Sequence, residues 1–148
     1  MGKVSPNEPS GALEGLGSPF DDHLGIRLVD VTPDRITAEV DLDATIHHQP
    51  WGSVHGGLYC TLVETLSTIG TALAAVPQGT APAGLENHTS FVRMVSSGRI
   101  FAEATPLHKG RQQHLWQVRV TDAEGRLLAR GTCRLMLVEP KPAGAQRA

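Results

Sequence analysis

Cysteine is scarce in this sequence. Cys60 and Cys133 are the only two in 148 residues, too few for a disulfide framework, and both read as free thiols at buried positions. Net charge is also small, at −2, which argues against a uniform basic field for nucleic acid. No apolar run has the look of a membrane span. The most apolar stretch, Leu58 to Val76, carries Glu64 and several Thr and Ser residues, as a protein-buried helix does. The N-terminus has an early Lys3 but no apolar segment after it, so it does not read as a signal peptide. The expectation is a cytoplasmic enzyme or binding domain with neither membrane nor nucleic acid as partner.

What is present suffices for one core. A hydrophobic fraction of 40% and a charged fraction of 19% are those of a globular chain, and 148 residues make one domain. That domain is expected to span 20–139. Residues 1–19, rich in Gly, Ser and Pro without periodicity, and the tail 140–148 are expected to be disordered. Charge is divided unevenly. Met1 to Thr80 carry 10 acidic and 3 Lys/Arg residues, net −7, whereas Ala81 to Ala148 carry 5 and 10, net +5. The second half therefore has room for a local anion site.

Periodicity gives the architecture. Ile26 to Val31 reads as a strand, then a turn at Thr32-Pro33-Asp34-Arg35. A second strand follows, in which Ile36, Ala38, Val40 and Leu42 alternate with Thr37, Glu39 and Asp41. An irregular loop is expected from Asp43 to Val54. The one strong helix signal opens near Gly56 and stops before Pro77, with Leu58, Leu62, Leu66, Ile69 and Leu73 on one face. Four further strands are placed at about Gly84–Val95, Arg99–His108, Gln112–Asp122 and Arg126–Val138, with turn residues between them. One helix cannot cover both faces of a strongly curved sheet, so the sheet is expected to wrap around it. The fold class is α+β: a curved antiparallel sheet of about six strands around one long central helix, the hotdog fold.

The helix carries the candidate chemistry. Glu64 is the only charged residue between Gly56 and Val76. It lies two residues from Leu62, roughly 200° around the helix, so it is expected to point away from the sheet. Cys60, Glu64 and Thr68 form a stripe at i, i+4, i+8, which places Thr68 to hydrogen-bond the Glu64 carboxylate or a water beside it. At the helix start, His55-Gly56-Gly57 lets a carbonyl oxygen approach backbone N–H groups at the positive end of the helix. Donors aimed at developing negative charge on an acyl carbonyl form an oxyanion hole. Gly56 and Glu64 lie about 12 Å apart along the helix at 1.5 Å per residue, whereas reacting atoms must come within about 3–3.5 Å. Two helices packed antiparallel across a twofold axis bring the two halves together.

The run Gln49-Pro50-Trp51-Gly52-Ser53-Val54-His55-Gly56-Gly57-Leu58-Tyr59-Cys60, followed by Glu64, resembles the signature of hotdog thioesterases. It is most similar to the branch with a catalytic Glu that contains 4-hydroxybenzoyl-CoA and 1,4-dihydroxy-2-naphthoyl-CoA thioesterases. The similarity continues through Gly84-Leu85-Glu86-Asn87, Arg93, Pro106-Leu107-His108-Lys109-Gly110, Trp116 and Asp122 to Arg126. It covers about Gly25 to Val138. The resemblance implies an acyl-CoA thioesterase with Glu64 as nucleophile or general base. The Gly56 N–H would polarise the carbonyl, assisted by Gln49 and His55, with Thr68 assisting Glu64. It implies a homodimer or dimer of dimers with sites at the subunit interface, and no cofactor, coenzyme A being part of the substrate. Arg93, Lys109 and Arg111 are the candidates for the CoA phosphates, although Arg111-Gln112 stands where some relatives carry small hydroxyl residues.

Trp51, Phe91 and Met94 are candidates to line an acyl pocket, each equally readable as core. His47, His48 and His55 complete no compact Cys/His set, so no metal is expected. Two rival readings remain in view. One is a hotdog enoyl-CoA hydratase or dehydratase, which would move protons with a His and an acid. The other is a non-catalytic acyl-CoA-binding protein, which would bind without hydrolysis.

Overall fold

The computed structural model describes residues 16–140. In chain order the elements are α1 (Pro19–His23), β1 (Arg27–Thr32), β2 (Arg35–Asp41), α2 (Ala44–His47), α3 (Gly56–Ala75), β3 (Ala81–Phe91), β4 (Arg99–Lys109), β5 (Gln113–Asp122) and β6 (Leu127–Val138). All six strands form one sheet in the order β1-β2-β4-β5-β6-β3, and every neighbouring pair is antiparallel. β1 and β3 are therefore the edges.

Alternation decides which face turns inward. In β2 the buried hydrophobic residues are Ile36, Ala38 and Val40, and in β5 Trp116, Val118 and Val120. These meet the buried face of α3, where Leu58, Leu62, Leu66 and Ile69 follow the helical repeat, in a single core. The sheet wraps α3, which makes this the α+β hotdog arrangement. Pro77 lies in a short 3₁₀ turn, Val76–Gln78, that ends α3. Gly79, at φ 75°, then turns the chain toward β3. Among the described residues, Gly56–Gln78 is the one segment long and apolar enough to cross a membrane; 50% of its most apolar window is buried inside the chain.

The structure departs from the sequence reading at several places. Residues 1–15 and 141–148 lie outside the described residues. Ser18 and Pro19, however, belong to an ordered element: Ser18 caps α1 by accepting from the Asp21 N–H, while the Asp21 carboxylate accepts from the Ser18 N–H. Thr65 of α3 donates to the other Asp21 oxygen at 2.6 Å and ties this first turn to the core. The expected irregular loop contains α2, capped by Asp43, whose side chain accepts from the Thr45 N–H at 2.7 Å. β3 begins earlier than expected and stops at Phe91, because the next two N–H groups, of Val92 and Arg93, both donate to the Leu128 carbonyl and leave the regular ladder. Cys60 is partly rather than fully buried. Part of the uneven charge is paired between the halves of the chain: Arg99 pairs with Glu39 and Asp41, and Lys109 with Asp34.

Candidate active site

The start of α3 is set by the loop before it. The Gln49 N–H donates to the Ser53 carbonyl, the Gly52 N–H donates back to the Gln49 carbonyl, and Gly52 takes φ 82°, a conformation open to glycine. The Gln49 amide is held inside this turn, its Nε2 donating to Ser53 Oγ at 2.7 Å. His55 then sits at the N-cap with extended backbone, and its Nδ1 accepts from the Gly57 N–H at 2.9 Å. Of the two N–H groups offered by the glycines, one is thus already satisfied. The Gly56 N–H has no partner among the described residues, and it stands at the positive end of a 20-residue helix.

Gly56 is also where Phe91 closes in: a Cβ there would lie 2.6 Å from the ring. The Phe91 ring is tilted at 6.0 Å from that of Tyr59, whose hydroxyl is buried without a partner and whose burial pushes the phenol up. Gln49, Gly56, Tyr59, Phe91, Arg93 and Met94 line a cavity of about 320 Å³. The chain therefore brings Gln49, Gly56, Phe91, Arg93 and Met94 together, as a donor beside an apolar space. Trp51 is not among its lining residues; it stands on the loop, 87% exposed.

Glu64 is partly buried two turns further along α3. Its carboxylate does not turn away from the sheet as the helical repeat suggested. Oε2 accepts from Asn87 Nδ2 at 3.3 Å and from the Cys133 thiol at 3.2 Å, so the group leans onto β3 and β6. The helical angle describes the Cα–Cβ direction. A Glu side chain is long enough to reach the edge strand where the sheet curls around the helix. Burial, together with the adjacent carboxylate, pushes the Cys133 thiol up, so it stays protonated and donates. Thr68, expected to assist, is not among the partners of the carboxylate. Asn87, read only as part of the family similarity, and Cys133, read only as a buried thiol, were given no place in the site by the sequence, since nothing in the pattern of a strand announces which residue meets a helix side chain.

The three basic candidates are differently placed. Arg93 lines the cavity at the helix start and Arg111 a separate cleft of about 350 Å³ at the β4–β5 hairpin. Neither has a carboxylate partner among the described residues. Lys109 is engaged with Asp34 and the Pro33 carbonyl, 5.7 Å above the Trp116 ring. His47 and His48 are bound to the backbone. The His47 ring bridges the Asp43 N–H and the Leu24 carbonyl, and His48 Nε2 lies 2.6 Å from the Ser96 carbonyl.

A sheet wrapped around one helix, with an unsatisfied N–H at the start of that helix, defines a hotdog protein equipped to polarise an acyl carbonyl. The model of the thioesterase superfamily matches residues 52–129. Rv1847 of Mycobacterium tuberculosis, assigned as an esterase, is 37% identical over 141 residues, 94% of this chain and 100% of its own. Its solved structure superimposes with a TM-score of 0.80 at 38% identity, covering 84% of this chain and 100% of that one. The proofreading thioesterase EntH of Klebsiella pneumoniae is 39% identical over 113 residues, 76% of this chain and 80% of EntH. The structure of thioesterase PA1618 of Pseudomonas aeruginosa, a mutant form, gives a TM-score of 0.76 at 29% identity, over 80% of this chain and 85% of that one. The chain belongs to the thioesterase superfamily, and it is a thioester hydrolase.

Proposed function

We propose that this hydrolase cleaves the thioester of an acyl-CoA carrying an aryl or otherwise bulky acyl group, at sites shared between two subunits. The observation that carries the reading is the unpartnered Gly56 N–H at the start of α3, bordering the cavity lined by Phe91 and Met94. A carbonyl oxygen bound there gains negative charge when its carbon is attacked, and the helix terminus stabilises that charge. Gln49 flanks the same cavity. The His55 ring, with Nδ1 accepting from Gly57, carries its proton on Nε2 when neutral and keeps one donor for substrate. Glu64 of the partner helix either attacks the carbonyl carbon, giving a mixed anhydride that water opens, or takes a proton from the attacking water. In both routes the C–S bond breaks, CoA leaves as thiolate and is protonated, and the acid is released. Thr68 orients the water, and coenzyme A enters only as part of the substrate.

Support for a second subunit comes from two directions. The two halves of the site lie about 12 Å apart on one helix, and β3 is an edge strand with exposed apolar residues, Leu85 at 50% and Phe91 at 58%. Such a subunit could cover Trp51, which then joins the acyl pocket. The nucleotide phosphates fall to Arg93 and Arg111, with Lys109 joining them after leaving Asp34.

Free-thiol release across benzoyl-, hydroxynaphthoyl-, phenylacetyl- and medium-chain acyl-CoA tests the substrate class, and the aryl thioesters are expected to have the highest kcat/KM. Enoyl-CoA turnover without thiol release would favour a hydratase instead. Glu64→Gln keeps shape and removes charge, so kcat should fall on the order of 100-fold or more with KM nearly unchanged. A wild-type rate in that variant would remove Glu64 from the mechanism.

A further inference from the structure

Edge strand β3 contains an irregularity beside Glu64. Its pairing with β6 runs Gly84↔Leu135 and then Glu86↔Arg134, so Leu85 is an extra residue with no partner of its own. In an unbroken strand, residues three apart point to opposite faces. The extra residue resets that alternation, and Gly84 and Asn87 both meet the Glu64 side chain. Asn87 is paired directly across the ladder with Cys133, which brings the two donors to one place. Thr89 Oγ donates to Asn87 Oδ1 at 2.7 Å, which turns the amide N–H groups toward the Cys60 carbonyl at 2.9 Å and Glu64 Oε2 at 3.3 Å. Both donors to the carboxylate fall on Oε2. Oε1 lies over the bare Cα of Gly84, where a Cβ would stand 2.5 Å away.

We propose that Gly84, Asn87 and Cys133 form a cradle that positions the Glu64 carboxylate, anchoring Oε2 and leaving Oε1 as the oxygen that attacks or takes the proton. The proposal rests on Glu64 as the reacting group and adds which residues aim it. None of the three touches substrate; they act through Glu64.

Gly84→Ala in the full-length protein is the discriminating variant. Gly84 is not among the positive-φ glycines, and the three atoms nearest its new Cβ all belong to Glu64, the far end of a flexible side chain. The variant should fold and melt close to wild type, keep its KM, and lose about 10- to 100-fold in kcat through misplacement of the carboxylate. Cys133→Ala should lower kcat in the same way, and Cys133→Ser, which restores a donor, should recover part of it. In a Glu64→Gln background neither Gly84→Ala nor Cys133→Ala should lower the residual rate further, because nothing remains for them to aim. Wild-type kcat in a folded Gly84→Ala protein overturns the cradle, as does an undiminished loss in the Glu64→Gln background. A Glu64→Gln enzyme with full activity would instead remove the assignment of Glu64 itself, a separate result.

Discussion

Trp116 has no solvent-accessible surface, and its indole fills the space that Gly70 leaves on α3. In sequence, a glycine inside a helix reads as a weak point, about 1 kcal/mol worse than alanine. The packing reverses that expectation. A Cβ at Gly70 would lie 2.4 Å from the Trp116 ring, which is fully buried and has nowhere to move. Gly70→Ala should therefore destabilise by about 1–3 kcal/mol through overpacking, read as a lower urea midpoint at unchanged slope. An increase in stability would show that the ring adapts. The same indole donates from Nε1 to Thr71 Oγ1 at 3.0 Å, a partner on the neighbouring helix residue. Glu64 illustrates the converse case. Its singularity as the one charge on the helix is legible in the sequence, but its partners Asn87 and Cys133 lie 23 and 69 positions away.

Among the elements, the β5–β6 turn shows a charge at work in local structure. Asp122, 6% accessible, accepts from the N–H groups of Glu124 and Arg126 and pairs with Arg126 Nε at 2.6 Å. Burial raises its carboxyl, but the hydrogen bonds and charge of Arg126, with the Glu124 N–H, together outweigh this and hold it below the usual range. The sign follows from linkage. A carboxyl depressed in the folded state stabilises fully above its unfolded value, about 3.9. That contribution is lost as pH falls through the lower folded value. Asp122→Asn should be less stable than wild type at pH 7, and the difference should narrow as pH drops below about 4. Urea denaturation at each pH measures this. A difference independent of pH would mean that the turn needs the shape of the side chain and not its charge. The turn itself was visible in the sequence at Ala123-Glu124-Gly125, and Gly125 takes φ 76° there. The two short helices were not visible, because α1 and α2 have five and four residues and show no hydrophobic period; their caps and tertiary contacts hold them.

For the whole molecule, the proposed sharing of sites makes a prediction that no single chain can meet. Mixing Glu64→Ala subunits with Gly56→Val subunits forms heterodimers in which one site keeps both halves, so about a quarter to a half of wild-type activity should return. Each variant alone should be nearly inactive, the valine by forcing its Cβ into the Phe91 ring and crowding the helix start. Exchange is followed by native mass spectrometry of differently tagged subunits. Exchange without recovery would place each complete site within one chain.

The succession of strands along the chain, the one long helix and the inward faces of β2 and β5 were determined by the sequence alone, because hydrophobic alternation and the helical repeat are properties of neighbours in the chain. The same holds for the glycines at the start of α3 and the carboxylate eight residues on. Tertiary structure decided what those groups touch. Curling of the sheet brought β3 beside Glu64, the extra residue Leu85 turned Gly84 and Asn87 to one side, and ion pairs joined acidic β2 to basic β4. Strand register and curvature are set by packing over the whole sheet, so contacts between residues far apart in sequence have no local pattern to announce them.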